Sequence, residues 1–192
     1  MDYLKYSKNR KLEADRILKE TNIFNKLKQF GKVKRVGSYS LNLMIKPDLD
    51  FVLKVRKSSE INKTIKLIKK EVGEIKNLSL KKTVDRTKLG LKGKSLHFYY
   101  YDKDIWGIDI LVTTKDFKEY NKIKNKVINK INPKKKINIL KLKYSFYKNK
   151  RLKNTSYSIY KSVLDENISN LKEFHNYLKN KNIFLKPHKA KA

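Results

Sequence analysis

Apolar residues recur at helical spacing from Leu4 to Phe30, through Leu12, Ile17, Leu18, Ile23, Phe24 and Leu27, and predict one helix that Gly31 stops. Val33 to Val36 reads as a short strand, and Gly37-Ser38 as a turn in which Ser38 caps a helix running to Ile45. Pro47 ends that helix. Leu49, Phe51, Leu53 and Val55 then alternate with polar or small residues, the period of a strand. Glu60 to Val72 carries Ile61, Ile65, Leu67 and Ile68 on one helical face, and Ile75 to Arg86 reads as a strand. After a glycine-bearing turn over Leu89 to Gly93, the strands Ser95 to Tyr101 and Ile105 to Thr113 flank Asp102-Lys103-Asp104, which predicts a hairpin. From Lys115 onward the pattern is helical, with breaks at Pro133 and at Asn154-Thr155. Ser156 to Leu178 keeps Ile159, Val163, Ile168, Leu171, Phe174 and Leu178 on one face, and Phe184 to Ala192 is a basic tail expected to be mobile. Elements that first alternate and then turn wholly helical predict an α+β fold, a small mixed β-sheet packed with helices and followed by a helical C-terminal section. The expected division is residues 1–131 and 132–192.

Composition narrows the chemistry. Hydrophobic residues make up 39% of the 192, enough to fill a core and to set wholesale disorder aside. The absence of cysteine excludes disulfides, thiolate metal sites and a cysteine nucleophile. Met1 to Arg16 lacks the apolar block of a signal peptide, and no apolar run reaches bilayer length, so a soluble cytoplasmic protein without a membrane partner is expected. The net charge of +31, from 49 Lys and Arg against 18 Asp and Glu, has two readings. It suits a polyanionic partner, usually nucleic acid. It also suits codon bias, because Lys, Asn, Ile and Tyr are all abundant. Under either reading the field attracts nucleoside triphosphates.

The acidic residues are few enough that their placement is informative. Asp48 and Asp50 lie two apart at the start of a strand, so both carboxylates share a face, with Leu49 and Phe51 on the other. Two such carboxylates repel unless a cation sits between them. Lys46 is one candidate; a divalent ion such as Mg2+, which prefers hard oxygen ligands, is the stronger one. Asp109 is the lone acid within Ile105-Trp106-Gly107-Ile108-Asp109-Ile110-Leu111-Val112. An isolated carboxylate in so apolar a strand is costly to bury, which favours a shared site over an exposed edge. Gly37 permits close approach of backbone to an anion, and the Ser38 hydroxyl with the first amides of a following helix points towards it.

Gly37-Ser38-Tyr39-Ser40-Leu41-Asn42-Leu43-Met44, leading into Asp48-Leu49-Asp50, resembles the signature of the nucleotidyltransferases of the DNA polymerase beta superfamily, and Ile108-Asp109-Ile110 resembles their third carboxylate strand. The likeness is to nucleotidyltransferase-domain proteins of bacteria and archaea. Asn42 stands where that pattern usually has a small residue, often Gly. Ser158 to Leu164, with Phe174 and Leu178, is similar to the C-terminal helices of that group. The resemblance implies a nucleotidyltransferase core in which Gly37 and Ser38 hold nucleotide phosphates and Asp48, Asp50 and Asp109 are the catalytic ligands of two Mg2+ ions, with Mn2+ as an alternative. It implies a nucleoside triphosphate substrate, with ATP the expected one, and transfer of a nucleoside monophosphate to an acceptor hydroxyl with release of pyrophosphate.

The acceptor stays open at this point. The scarcity of acids beyond Asp165, Glu166 and Glu173 disfavours a cationic aminoglycoside, as in an antibiotic-modifying adenylyltransferase, and the lysines favour RNA or another anionic acceptor. A transferase-type toxin of a toxin–antitoxin pair and an inactive nucleic-acid-binding protein are the alternatives; oligomeric state is not legible. His97, His175 and His188 lack metal-ligand spacing, and His97 is expected to be packed or satisfied within its aromatic strand. Arg86 is expected in a surface ion pair, with phosphate contact as the alternative. Trp106 reads as core. Tyr99, Tyr100 and Tyr101 should alternate between core and surface, with base stacking as the second reading. Lys134 to Lys143 reads as a solvated helix face, or as a track for a nucleic-acid backbone.

Overall fold

The computed structural model describes residues 1–87, 92–148 and 155–183. Its elements run α1 (Tyr3–Thr21), α2 (Ile23–Lys28), β1 (Lys32–Val36), α3 (Gly37–Ser40), β2 (Asp48–Lys54), α4 (Glu60–Gly73), β3 (Leu78–Asp85), β4 (Gly93–Tyr101), β5 (Ile105–Thr113), α5 (Lys118–Lys130), α6 (Pro133–Lys148), α7 (Thr155–Glu166) and α8 (Leu171–Asn180). The five strands form one sheet in the order β1-β2-β5-β4-β3. β2 and β5 are parallel at its centre, and the other pairs are antiparallel, so the sheet is mixed and the fold is α+β.

Strand alternation separates the two faces of the sheet. Leu49, Phe51 and Leu53 of β2, Leu96, Phe98 and Tyr100 of β4, and Trp106, Ile108, Ile110 and Val112 of β5 form one core with Ala14 and Ile17 of α1, Ile23 and Leu27 of α2, and Ile61, Ile65, Ile68 and Val72 of α4. A second core joins Val127 of α5, Ile139, Leu140, Leu142 and Phe146 of α6, Ile159, Tyr160, Val163 and Leu164 of α7, and Phe174, Tyr177 and Leu178 of α8. Leu43 and Ile45 enter this second core while Met44 enters the first. The segment between α3 and β2 is therefore clamped from both sides, each fully buried side chain contributing about 1.5–3 kcal/mol.

That clamp corrects the helix expected to run to Ile45. The helix at Gly37 is a single turn ending at Ser40, its N-cap is Val36, and Ser38 caps nothing. Asn42, in the left-handed region at φ 55°, turns the chain out of helix. Glycine adopts this conformation without steric cost. The first helix likewise breaks in two at Asn22, also left-handed at φ 48°. The apolar face read from Ser156 to Leu178 is shared by two helices, because Asn170 starts α8 by accepting from the Glu173 amide at 3.0 Å. β3 begins only at Leu78, since Val72 and Ile75 carbonyls still accept turn bonds before it. The expected turn over Leu89 to Gly93 falls largely outside the described residues, as does the basic tail from Phe184. Among the described residues no helix is long and apolar enough to cross a membrane.

Candidate active site

The central parallel pair fixes the site. Its register sets Asp50 beside Asp109 and Asp48 beside Gly107. Residues in register on neighbouring strands share a face, so Asp48, Asp50 and Asp109 all lie on the face opposite the first core. Gly37 backs against them. A Cβ there would fall 2.1 Å from Asp50 Oδ2, and the backbone is left-handed at φ 66°, so only glycine is accommodated. Gly107 leaves bare backbone next to Asp48, where an added Cβ would still be 3.9 Å from the Asp48 Cβ.

The two paired aspartates are electrostatically loaded. Burial, followed by the charges of Asp48 and Asp109, pushes the Asp50 carboxyl well above the usual carboxylate range, and Lys143 and Lys46 oppose the shift. Burial also raises Asp48; the Lys143 and Lys46 charges pull it back, and Asp109 adds to the rise. Asp48 Oδ1 is buried without a hydrogen-bond partner. Such an atom is costly to desolvate and marks a place where a cation or proton is wanted. Among the described residues no three His, Cys, Asp or Glu side chains are gathered tightly enough to hold a metal ion on their own.

Asp109 differs from the pair. Its side chain is 50% exposed, at the open rim of the site. His97 lies directly across from it on β4, and His97 Nδ1 hydrogen-bonds Asp109 Oδ1. Arg86 Nη2 meets His97 Nε2 at 3.0 Å, while Arg86 Nε donates to Ser95 Oγ at 3.0 Å. A guanidinium only donates, so Nε2 accepts and the ring proton sits on Nδ1, directed at Asp109.

The glycine–serine corner meets the helical section through Lys143 of α6. Its ammonium donates to Ser38 Oγ at 2.6 Å, to the Leu43 carbonyl at 2.6 Å and to Tyr160 Oη at 3.1 Å. All three donors are used and the residue is buried, so one cation fixes α3, α6 and α7 relative to one another. A single helical turn has little dipole to offer an anion, and the positive charge at Ser38 comes from this lysine. Burial raises the phenols of Tyr120 in α5 and Tyr147 in α6; the Asp50 charge adds to the first, and Tyr6, Asp104 and Asp48 add to the second against Arg10.

No model of a known protein family matches the sequence, and no curated protein matches it. Solved structures do match in fold. Cid1, described as having RNA terminal uridylyl transferase activity, superposes with a TM-score of 0.56 at 13% identity over 82% of this chain and 47% of its own. Cid1 poly(U) polymerase bound to MgGTP gives 0.57 at 15% identity, over 85% of this chain and 55% of its own. Terminal uridylyl transferase 4 from Trypanosoma brucei with bound GTP gives 0.51 at 12% identity, over 88% and 53%. The chain shares the fold of these transferase structures. It spans about half the length of these structures.

Within this fold, the five residues singled out by motif come together: Gly37 touches Asp50, Asp50 pairs with Asp109, Asp48 precedes them on the same face, and Ser38 sits beside Lys143. Two neighbours lie outside the motif. Lys143, expected in a solvated lysine face, is buried; its spacing from Ile139, Leu142 and Phe146 places it on the apolar stripe of α6 and is the signal that it points inward. His97 is satisfied within its strand as expected, but by Asp109 and Arg86. Counting outward from the turn, Tyr101 pairs with Ile105, and the same count brings His97 opposite Asp109. Arg86 is engaged with His97 and Ser95 rather than in an ion pair.

Proposed function

We propose that this chain is a metal-dependent nucleotidyltransferase that moves a nucleoside monophosphate from a nucleoside triphosphate to an acceptor hydroxyl, with RNA as the favoured acceptor. The observation that carries the proposal is the convergence of Asp48, Asp50 and Asp109 on one face of the central strands, with Gly37 pressed against Asp50. A pair of half-buried carboxylates, one with a buried oxygen that has no partner, fits a hard divalent cation. Mg2+ is commonly held by one or two carboxylates completed by substrate phosphates, so a closed protein cage is not needed.

Asp48 and Asp50 would hold Mg2+ with the triphosphate, and Asp109 would complete the set at the rim. The ions would neutralise phosphate charge and acidify the acceptor hydroxyl. Gly37 admits the triphosphate close to the backbone. Ser38 would lie beside the phosphates that leave, and the charge of the buried Lys143 behind it offsets the negative charge of departing pyrophosphate. The acceptor oxygen attacks the α-phosphorus, the bond from that phosphorus to the bridging oxygen breaks, pyrophosphate leaves with that oxygen, and the acceptor proton passes to water at the exposed Asp109 rim. His97 holds one Asp109 oxygen and leaves the other free.

RNA is supported by the charge of +31 and by the neighbours named for RNA terminal uridylyl transfer. ATP remains the expected nucleotide. The test is incubation with Mg2+, each α-labelled nucleoside triphosphate, and total cellular RNA or protein. Label on RNA with stoichiometric pyrophosphate is the expected result; no labelled acceptor with any nucleotide or with Mn2+ would refute the proposal.

A further inference from the structure

The site face of the sheet continues past the carboxylates, and its far half differs in kind. From Asp48 the sheet crosses Gly107 of β5 and then Tyr99 of β4, since Gly107 is in register with both. Two strand spacings, about 10 Å, thus separate the Asp48 and Tyr99 backbones, with only a glycine between them. The floor there carries no side chain. Tyr101 follows Tyr99 on the same face and is 48% exposed, whereas Tyr100 between them is buried in the core. The Tyr99 and Tyr101 rings meet edge to face, centroids 6.4 Å apart.

Beyond Tyr99 lies the edge strand β3, which is irregular at this point. Leu80 pairs with Phe98 and Lys82 with His97, leaving Lys81 as an extra residue. A bulge re-aims side chains. Lys82 pairs across from His97, and Lys81 Nζ reaches the Tyr99 hydroxyl; both lysines are exposed. An edge strand also carries lysines to block pairing, which alone accounts for Lys81 and Lys82. It does not account for two tyrosines beside them, one exposed, on the face that leads over bare backbone into the carboxylates.

We propose that Tyr99, Tyr101, Lys81 and Lys82 form the platform on which a single-stranded polynucleotide acceptor lies, its terminal hydroxyl directed over Gly107 to Asp109. The rings stack unpaired bases and the ammonium groups follow the phosphates, a combination that binds single strands with little sequence preference. Asp109, half exposed at the rim between this platform and the Asp48–Asp50 pair, is the carboxylate an arriving hydroxyl meets. This rests on reading the carboxylate site as a nucleotidyl-transfer centre, which the experiment separates from the platform itself.

Binding of a fluorescent, unstructured single-stranded oligoribonucleotide is measured by anisotropy as a function of salt, with the duplex as comparison and nucleotide transfer followed in parallel. Tyr101→Ala is expected to weaken binding about tenfold, and Tyr99→Ala with Tyr101→Ala by more, because base stacking is removed. Tyr101→Phe, which keeps the ring, should bind like the wild type. Lys81→Ala with Lys82→Ala should flatten the salt dependence by about 0.7 in log–log slope for each phosphate no longer neutralised. The duplex should bind more weakly and be indifferent to the tyrosines. Because Tyr101 is exposed, its variant decides even if Tyr99→Ala misfolds. Unchanged binding in Tyr101→Ala and the lysine variant overturns the platform, as does labelling of protein alone, and the transfer proposal then survives if nucleotide still moves. If the variants lose the oligonucleotide but no nucleotide moves to any acceptor, the platform stands and the transfer proposal falls.

Discussion

The two faces of the same three strands make opposite use of their residues. On one face Phe51, Phe98, Ile108 and Ile110 are all but inaccessible to solvent and packed by α1, α2 and α4. On the other, one residue away in each strand, stand Asp50, His97 and Asp109. The first face stabilises by burial. The second works against stability, holding like charges together in a partly dry place, and does so with an unpartnered carboxylate oxygen. Electrostatic cost carried on one face and offset by burial on the other is the pattern expected of a functional site on a rigid scaffold.

This contrast can be broken by substitutions that differ only in which face they touch. The largest effect is expected from Phe51→Ala, which empties a fully buried ring. It should cost about 3–5 kcal/mol of unfolding free energy in denaturant titration. Activity should be lost only as the protein unfolds; a stable Phe51→Ala protein would mean that the covered face is not the core. On the opposite face, His97→Asn should leave the denaturation midpoint nearly unchanged while lowering turnover about 10–100-fold, the usual loss when a partner that orients a ligand is removed. Retained turnover would show that Asp109 needs no such partner.

A smaller effect has the opposite sign. Asp50 is held above the ordinary carboxylate range by burial and by Asp48 and Asp109. For an acid raised on folding, the native state binds the proton more tightly than the unfolded chain. Stability attributable to this group is therefore greatest below the ordinary carboxylate pKa of about 4 and declines as pH rises through the raised value. In chelator at neutral pH, Asp50→Asn should melt a few degrees above the wild type, on the scale of about 2–4 °C per kcal/mol, and this advantage should shrink as pH is lowered towards 4. A lower melting temperature for Asp50→Asn at neutral pH would contradict the buried-charge account.

The same comparison explains what could be read beforehand. Period-2 patterns expose β2 and β5 in the sequence, because an apolar face against a polar one is a local signal, and the lone acid in β5 stands out for the same reason. The Gly37 to Asp50 run was legible because its residue types are set by contact, Gly37 against Asp50 above all. Leu43, Met44 and Ile45 misled, since three consecutive apolar residues fit a helix as well as a chain wedged between two cores. Only tertiary packing distinguishes these, and Asn42 was the local clue. Lys143 lies roughly a hundred residues from Ser38 in sequence, and no local pattern predicts that pairing.

Nucleotidyl transfer at the three-aspartate face, as proposed, requires Asp50. The direct test is a single-turnover assay of wild type and Asp50→Asn with Mg2+, α-labelled nucleoside triphosphate and a single-stranded oligoribonucleotide. Pyrophosphate and labelled oligonucleotide should appear together in the wild type, and in Asp50→Asn at a rate lower by about a thousandfold or more. Equal rates in the two proteins, with Asp50→Asn folded, would contradict the claim.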